Sequence, residues 1–143
     1  MASRDIHSNI DAIRGTAPIA VGTTGTGQTG IIVDTAGYEG VEFIIGYGAI
    51  TATNAVFTPV IKSGSVTGTL ASVADANLLG TESGAGIAAG TRTAGTNSSV
   101  FKRIGYIGAD RYVQCNVSST VTAAVPVSVV AILGHPRNAP VAT

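Results

Sequence analysis

The sequence predicts an all-β protein: an antiparallel β-sandwich, jelly-roll-like, of about eight short strands in one domain, residues 1–143. Three observations carry that expectation. Apolar residues alternate with polar ones in several short runs, which is the period of a half-buried strand. Most of the nineteen glycines fall in the stretches between those runs, where turns are needed. No helical pattern alternates with the strands, and no repeat of solenoid or propeller length is visible. At 143 residues the chain is long enough to bury roughly 70% of the surface its unfolded form exposes, so it needs no disulfides. Its one cysteine, Cys115, excludes an internal disulfide framework.

The N-terminal stretch stands apart. In residues 4–14, Ile6, Ile10 and Ile13 fall on one helical stripe. Ser3 is placed to cap, Asp5 suits the positive helix end, and Arg14 with Gly15 suits the other. Residues 1–16 are therefore expected to form a short helical arm. So short a helix is marginal alone and must dock, either on its own sheet or on a neighbouring subunit.

Strands are expected at Pro18–Val21, Ile31–Asp34, Val41–Ile50 and Ala55–Lys62, with turns at Gly22–Gly30 and Gly37–Gly40. In the third, Val41, Phe43, Ile45 and Tyr47 share a face; in the fourth, Phe57 and Ile61 do. Pro59 lacks an amide hydrogen, so its strand lies at an edge or carries a bulge. Residues 63–79 read as a short strand and then a loop whose leucines are anchored in the core. The Gly-, Thr- and Ala-rich stretch 80–99 is either an arm on a neighbour or a hairpin tip. Val100–Ile107 and Tyr112–Val117 flank the turn residues Gly108 and Asp110, which predicts a hairpin that brings Lys102, Arg103 and Arg111 together. The run 125–133 is apolar on both faces, which predicts a central strand covered on both sides. Residues 134–143, with two prolines, read as an extended tail.

Composition narrows the function. Charged residues make up 11% of the chain, against roughly 25% in an ordinary soluble domain. Eight basic residues balance eight acidic ones. Such a weakly charged, neutral surface favours association and argues against nucleic acid, which needs a basic excess. No apolar run approaches the ~20 residues of a membrane span, and the first residues lack the apolar core of a secretion signal. Synthesis in the cytoplasm with no membrane partner is the expectation.

No catalytic, cofactor-binding or metal-binding set is expected. Gly25–Gly30 matches the dinucleotide pattern Gly-x-Gly-x-x-Gly, but the strand-like Ile31–Val33 follows where a helix N-terminus is required. A β-turn is the better reading. The two histidines, His7 and His135, lie one near each end of the chain, and a metal set normally needs three or four ligands. No serine sits in a nucleophile elbow. Glu39, Glu42, Asp75 and Glu82 show no paired acid–base spacing. Lys102, Arg103 and Arg111 read either as a solvated hairpin face or as a contact for an acidic partner surface.

Two stretches carry a family resemblance: Arg103–Val113, which reads R-I-G-Y-I-G-A-D-R-Y-V, and Ala131–Val141, with G-H-P-R-N-A-P inside it. Together with Asp5–Ile13, Gly37–Phe43 and Asp75–Gly80 they resemble a family of small tailed-bacteriophage virion proteins. The stretch 80–99 is longer and richer in glycine than that family has. The resemblance implies a non-enzymatic head decoration, or cement, protein encoded near the major capsid protein and made in the bacterial cytoplasm. It would sit on the outer capsid surface and stabilise the lattice. Its expected partners are the major capsid protein and copies of itself. The contact candidates are Ile6, Ile10, Ile13, Lys102, Arg103, Arg111, His135, Pro136 and Arg137. Two other readings stay open: a head–tail connector or tail component, and a carbohydrate-binding host-attachment module. The last is poorly supplied with aromatics, having no Trp, four Tyr and three Phe.

Overall fold

The computed structural model describes residues 5–21, 27–49, 55–88, 99–120 and 125–138. Nine strands are described: β1 (Ile10–Val21), β2 (Val33–Asp34), β3 (Tyr38–Tyr47), β4 (Phe57–Gly64), β5 (Ala71–Ser72), β6 (Leu78–Leu79), β7 (Val100–Tyr106), β8 (Tyr112–Ser119) and β9 (Val125–Pro136). One sheet has the order β1-β9-β3-β7-β6 and the other β2-β8-β4-β5. Every pairing is antiparallel. The all-β sandwich predicted from the alternation is the fold observed.

Alternation builds the core. From the larger sheet, Val41, Phe43, Ile45 and Tyr47 of β3 point inward with Val125, Val127, Val129, Ala131 and Leu133 of β9. Val113, Cys115 and Val117 of β8 and Phe57 and Ile61 of β4 meet them from the smaller sheet. Each fully buried aliphatic or aromatic side chain contributes about 1.5–3 kcal/mol. Tyr47 sets its ring edge-on to Phe57 at 6.1 Å and donates from its hydroxyl to the Ala85 carbonyl, 3.1 Å away. That bond anchors the one-turn helix α1 (Glu82–Ala85), which Thr81 caps by accepting the Gly84 amide.

Pro59 sits in β4 without disturbing it. The amides of Phe57 and Ile61 both point away from β8, to the Ile87 carbonyl and the Glu82 carboxylate respectively. Pro59 lies between them at the same period, so the hydrogen it lacks would have faced the segment 82–87 and not β8. The edge reading of this proline holds locally, because β5 pairs only with Lys62 and Ser63.

Four expectations are corrected. The N-terminal helical arm is instead one 3-10 turn, His7–Asn9, running into the twelve-residue strand β1. Asp5 Oδ1 accepts the Ser8 amide there, and Ser3 lies outside the described residues. Pairing along β9 supplies inter-strand bonds that a lone short helix could not match. Ile6, Ile10 and Ile13 therefore share no stripe. Second, β7 and β8 do not form a hairpin. They belong to different sheets, and residues 107–111 carry the chain across the sandwich. Each strand buries its own apolar side, which two sheets facing one core satisfy better than one ribbon. Third, Gly134, His135 and Pro136 end β9 and do not begin a tail; residues 139–143 lie outside the described set. Fourth, β9 is central in hydrogen bonding, but its outward face is bare: Val130 keeps 38% of its surface exposed. Of the leucines in residues 63–79, Leu78 is buried, Leu70 half-buried and Leu79 exposed. In the stretch 80–99, α1 and a bridge from Ile87 to Phe57 pack on the core, while residues 89–98 lie outside the described set.

The two described phenylalanines outside β4 test this layering. Phe43→Ala is expected to cost about 3–5 kcal/mol of unfolding free energy in a urea titration. Phe101→Ala, on the outward face of β7, should stay within about 0.5 kcal/mol of the parent.

Candidate interaction surface

The outward faces of the two sheets differ in chemistry. On the smaller sheet, Gln114 Nε2 donates to the Gly30 carbonyl at 2.7 Å, and Asn116 Oδ1 accepts the Gly30 amide at 2.8 Å. Asn116 also donates to Gln114, and Ser118 to the Thr58 carbonyl. The chain around Gln28 runs along this face and exchanges backbone bonds with Val117. Its polar groups are thus largely answered from within. This extended segment is also where the structure places the second half of the Gly25–Gly30 pattern; strand β2 follows it, and no helix does. Residues 22–26 lie outside the described set.

The larger sheet turns a more apolar face outward. Register sets its rows: Ala12, Ile132, Glu42, Gly105 and Leu79 in one, Arg14, Val130, Ile44 and Arg103 in the next, Ser128, Gly46 and Phe101 beyond. Phe101 is 76% exposed and lies over Gly46, where a Cβ would come within 2.9 Å of its ring. Leu79 is 55% exposed at the other corner. The only acid in these rows, Glu42, is held 3.8 Å from Arg103. Partial burial raises its pKa, and Arg103 opposes that shift.

Three clefts crowd the end of the sandwich where β3 begins and β9 ends. The first, of about 540 Å³, lies between Thr35–Val41 and the crossing 106–111. The crossing is fastened at several points. Arg111 grips Asp34 with two bonds of 2.8 and 2.7 Å and stacks over Tyr112 at 5.1 Å. The Asp110 amide donates to Tyr106 Oη, and Ser63 Oγ donates to Asp110 Oδ2 at 2.6 Å. The Arg111 guanidinium, helped by the Ala36 amide, holds the Asp34 carboxyl below its usual range. A second cleft, of about 700 Å³, is lined by Ile6, Ile10, His135, Pro136 and Arg137. His135 takes a left-handed backbone, φ +55°, just before a proline, a conformation that costs on the order of 1–3 kcal/mol. The third cleft, about 270 Å³, opens between β3, β9 and Leu79.

Six of the nine contact candidates meet at this end: Ile6, Ile10, Arg111, His135, Pro136 and Arg137. The other three do not. Ile13 packs against the core. Lys102 and Arg103 leave opposite sides of β7, so no patch of three cations forms, and Arg111 is committed to Asp34. Sequence reasoning missed Glu39, Glu42, Leu79, Ile107 and Phe101 as surface residues; for Glu42, Leu79 and Phe101 the glycines opposite them on neighbouring strands, Gly105 and Gly46, were the available signal. Among the described residues no three His, Cys or carboxylate groups gather as a metal set, and no helix is long and apolar enough to cross a membrane.

Two measurements check these assignments. Asp34 has a depressed folded pKa, so its contribution to stability is present above the unfolded value of 3.8 and is lost as pH falls through the folded one. Asp34→Asn should lower the thermal midpoint modestly at neutral pH, as expected of an exposed pair, and should match the parent near about pH 2. Cys115 is buried between the sheets, and desolvation, with a smaller push from Glu82, drives its thiol up to about 12. A thiol reagent at mildly alkaline pH should leave the folded protein unmodified and react fully once the chain is unfolded in denaturant.

No protein-family model matches the chain, and no curated protein does. Among solved structures, the Gt strain of infectious bursal disease virus aligns with a TM-score of 0.49 at 7% identity, over 92% of this chain and 35% of that one. The Gx strain of the same virus gives 0.48 at 6% identity, over 92% and 34%. This chain therefore spans about a third of the viral chains it aligns with. Eiger TNF from S. frugiperda gives 0.33 at 8% identity, over 95% and 92%.

Proposed function

We propose that this chain is a non-enzymatic structural protein of a virion: a decoration, or cement, protein that binds the outer surface of a tailed-phage capsid and stabilises the lattice. Its partners in this reading are the major capsid protein and further copies of itself. The observation that supports it most is the outward face of the larger sheet, where Phe101, Leu79 and Val130 stand exposed beside Arg14 and Arg103 and a single acid, Glu42. A face of that kind is an association surface.

Its size explains why copies would matter. The five strands, two to twelve residues long at 3.3 Å per residue and about 4.8 Å apart, span roughly 700 Å². A standard stable interface buries about 800 Å² per partner. One face falls short, so lasting attachment needs several contacts at once, which is the condition a repeating shell provides. Each contact made only in the assembled state stabilises that state by mass action. With eight basic and eight acidic residues, copies crowded on one shell do not repel one another strongly.

The test mixes the purified protein with capsid shells lacking it, then measures bound copies and resistance to heat. Hundreds of bound copies and a raised disruption temperature are expected. A few copies per particle would point to a connector, and no binding with unchanged resistance would refute the proposal.

A further inference from the structure

The third cleft has a construction that the fold does not require. Gly40 of β3 and Gly134 of β9 lie directly opposite each other on its floor, and a Cβ added to either would meet none of the described residues within 4 Å. Neither glycine has the positive φ that would demand this residue type. Glycine inside a strand weakens it and marks where another backbone can approach closely. The walls are aliphatic, with Leu79 on one side, Ile107 (52% exposed) beside it, and Ile132 at the rim.

The charge of this groove has one sign. Glu39 and Glu42 line it, His135 stands at one end, and no lysine or arginine is among its lining residues. The Glu42 carboxylate lies flat over Gly105, where an added Cβ would fall 2.5 Å from Oε2. Arg103, its one cation among the described residues, is 79% exposed and 3.8 Å away, so the pair is weak. A carboxylate is thus kept on an apolar wall with little to answer it.

We propose that this groove receives an extended segment of a partner protein in which a lysine or arginine is flanked by small and aliphatic residues. The segment's backbone lies on Gly40 and Gly134, its aliphatic groups meet Leu79 and Ile107, and its cation reaches Glu42 and Glu39. The inference rests on the reading of this chain as an assembly protein and names the chemistry of what it holds.

Isotope-labelled full-length protein titrated with a blocked peptide, Gly-Val-Gly-Lys-Gly-Val-Gly, tests it by NMR. Saturable shifts are expected at the amides of Gly40, Gly134 and Leu79. Replacing the peptide lysine by norleucine should weaken binding about tenfold, and replacing it by glutamate should abolish it. Gly40→Leu sets its Cβ where none of the described residues lies within 4 Å and should abolish binding with the thermal midpoint unchanged or raised. Glu42→Gln should weaken the lysine peptide and leave the norleucine peptide unaffected. Equal binding of all three peptides, or none, overturns the proposal. So does concentration-dependent movement of the same amides without peptide, which would identify a second copy as the occupant. Shell binding separates the two readings. If Gly40→Leu binds capsid shells as the parent does, the groove proposal falls and the decoration reading stands. If the parent ignores shells but holds the lysine peptide, the reverse follows.

Discussion

The fold depends on two strands, β3 and β9, that lie side by side and send every second residue into the same core. From Val41 to Tyr47 and from Val125 to Leu133 the inward positions are all apolar and all buried. A one-residue slip between these strands would expose both rows at once, so the register is strongly held. That constraint decides the outward face as well. With Phe43 and Ala131 pointing in, Glu42, Ile44, Val130 and Ile132 have to point out, whether or not solvent suits them. The apolar residues among them are there by choice of sequence, since polar side chains at those positions would leave the core untouched.

Elements with clear alternation were legible from sequence, and those set by pairing partners were not. The inward rows of β3, β4, β8 and β9 could be read by counting in twos. Residues 6–13 misled because isoleucines spaced three and four apart satisfy a helical period, while Asp11 and Ile13 also sit correctly in a strand facing Leu133 and Ala131. Only the presence of β9 decides between them. The stretch 100–117 misled differently. Glycine and aspartate between two strands signal a reversal, but a reversal within one sheet and a crossing between two have the same local chemistry. What separates them is Asp110 held by Ser63, and Arg111 held by Asp34, contacts spanning 47 and 77 positions. Neither can be seen in a short window of sequence.

The candidate site was half legible for a related reason. Residues near the two ends of the described chain could be suspected as contacts, and β1 and β9 pair so that Ile10 lies against Gly134. Antiparallel pairing of the first and last strands brings the two ends together, so Ile6, His135 and Arg137 share one cleft. The expected cationic patch failed because alternation sends neighbours such as Lys102 and Arg103 to opposite sides. Adjacent charges in a strand are a poor sign of a shared surface.

Glycine placement gives the last step. Gly40, Gly105 and Gly134 interrupt three of the strands that carry the larger sheet, and each costs that sheet about 0.5–1 kcal/mol relative to alanine. Gly105 has an internal reason, since a Cβ there would strike the Glu42 carboxylate and Leu79. Yet Glu42 adds little to the fold: desolvation raises its pKa, so at neutral pH its charge opposes folding, and Arg103 answers only in part. A glycine that makes room for a carboxylate of this kind, beside two more that make room for none of the described residues, concentrates stability losses on one small area of surface. Losses with no return among the described residues are the physical mark of a surface shaped for something beyond them.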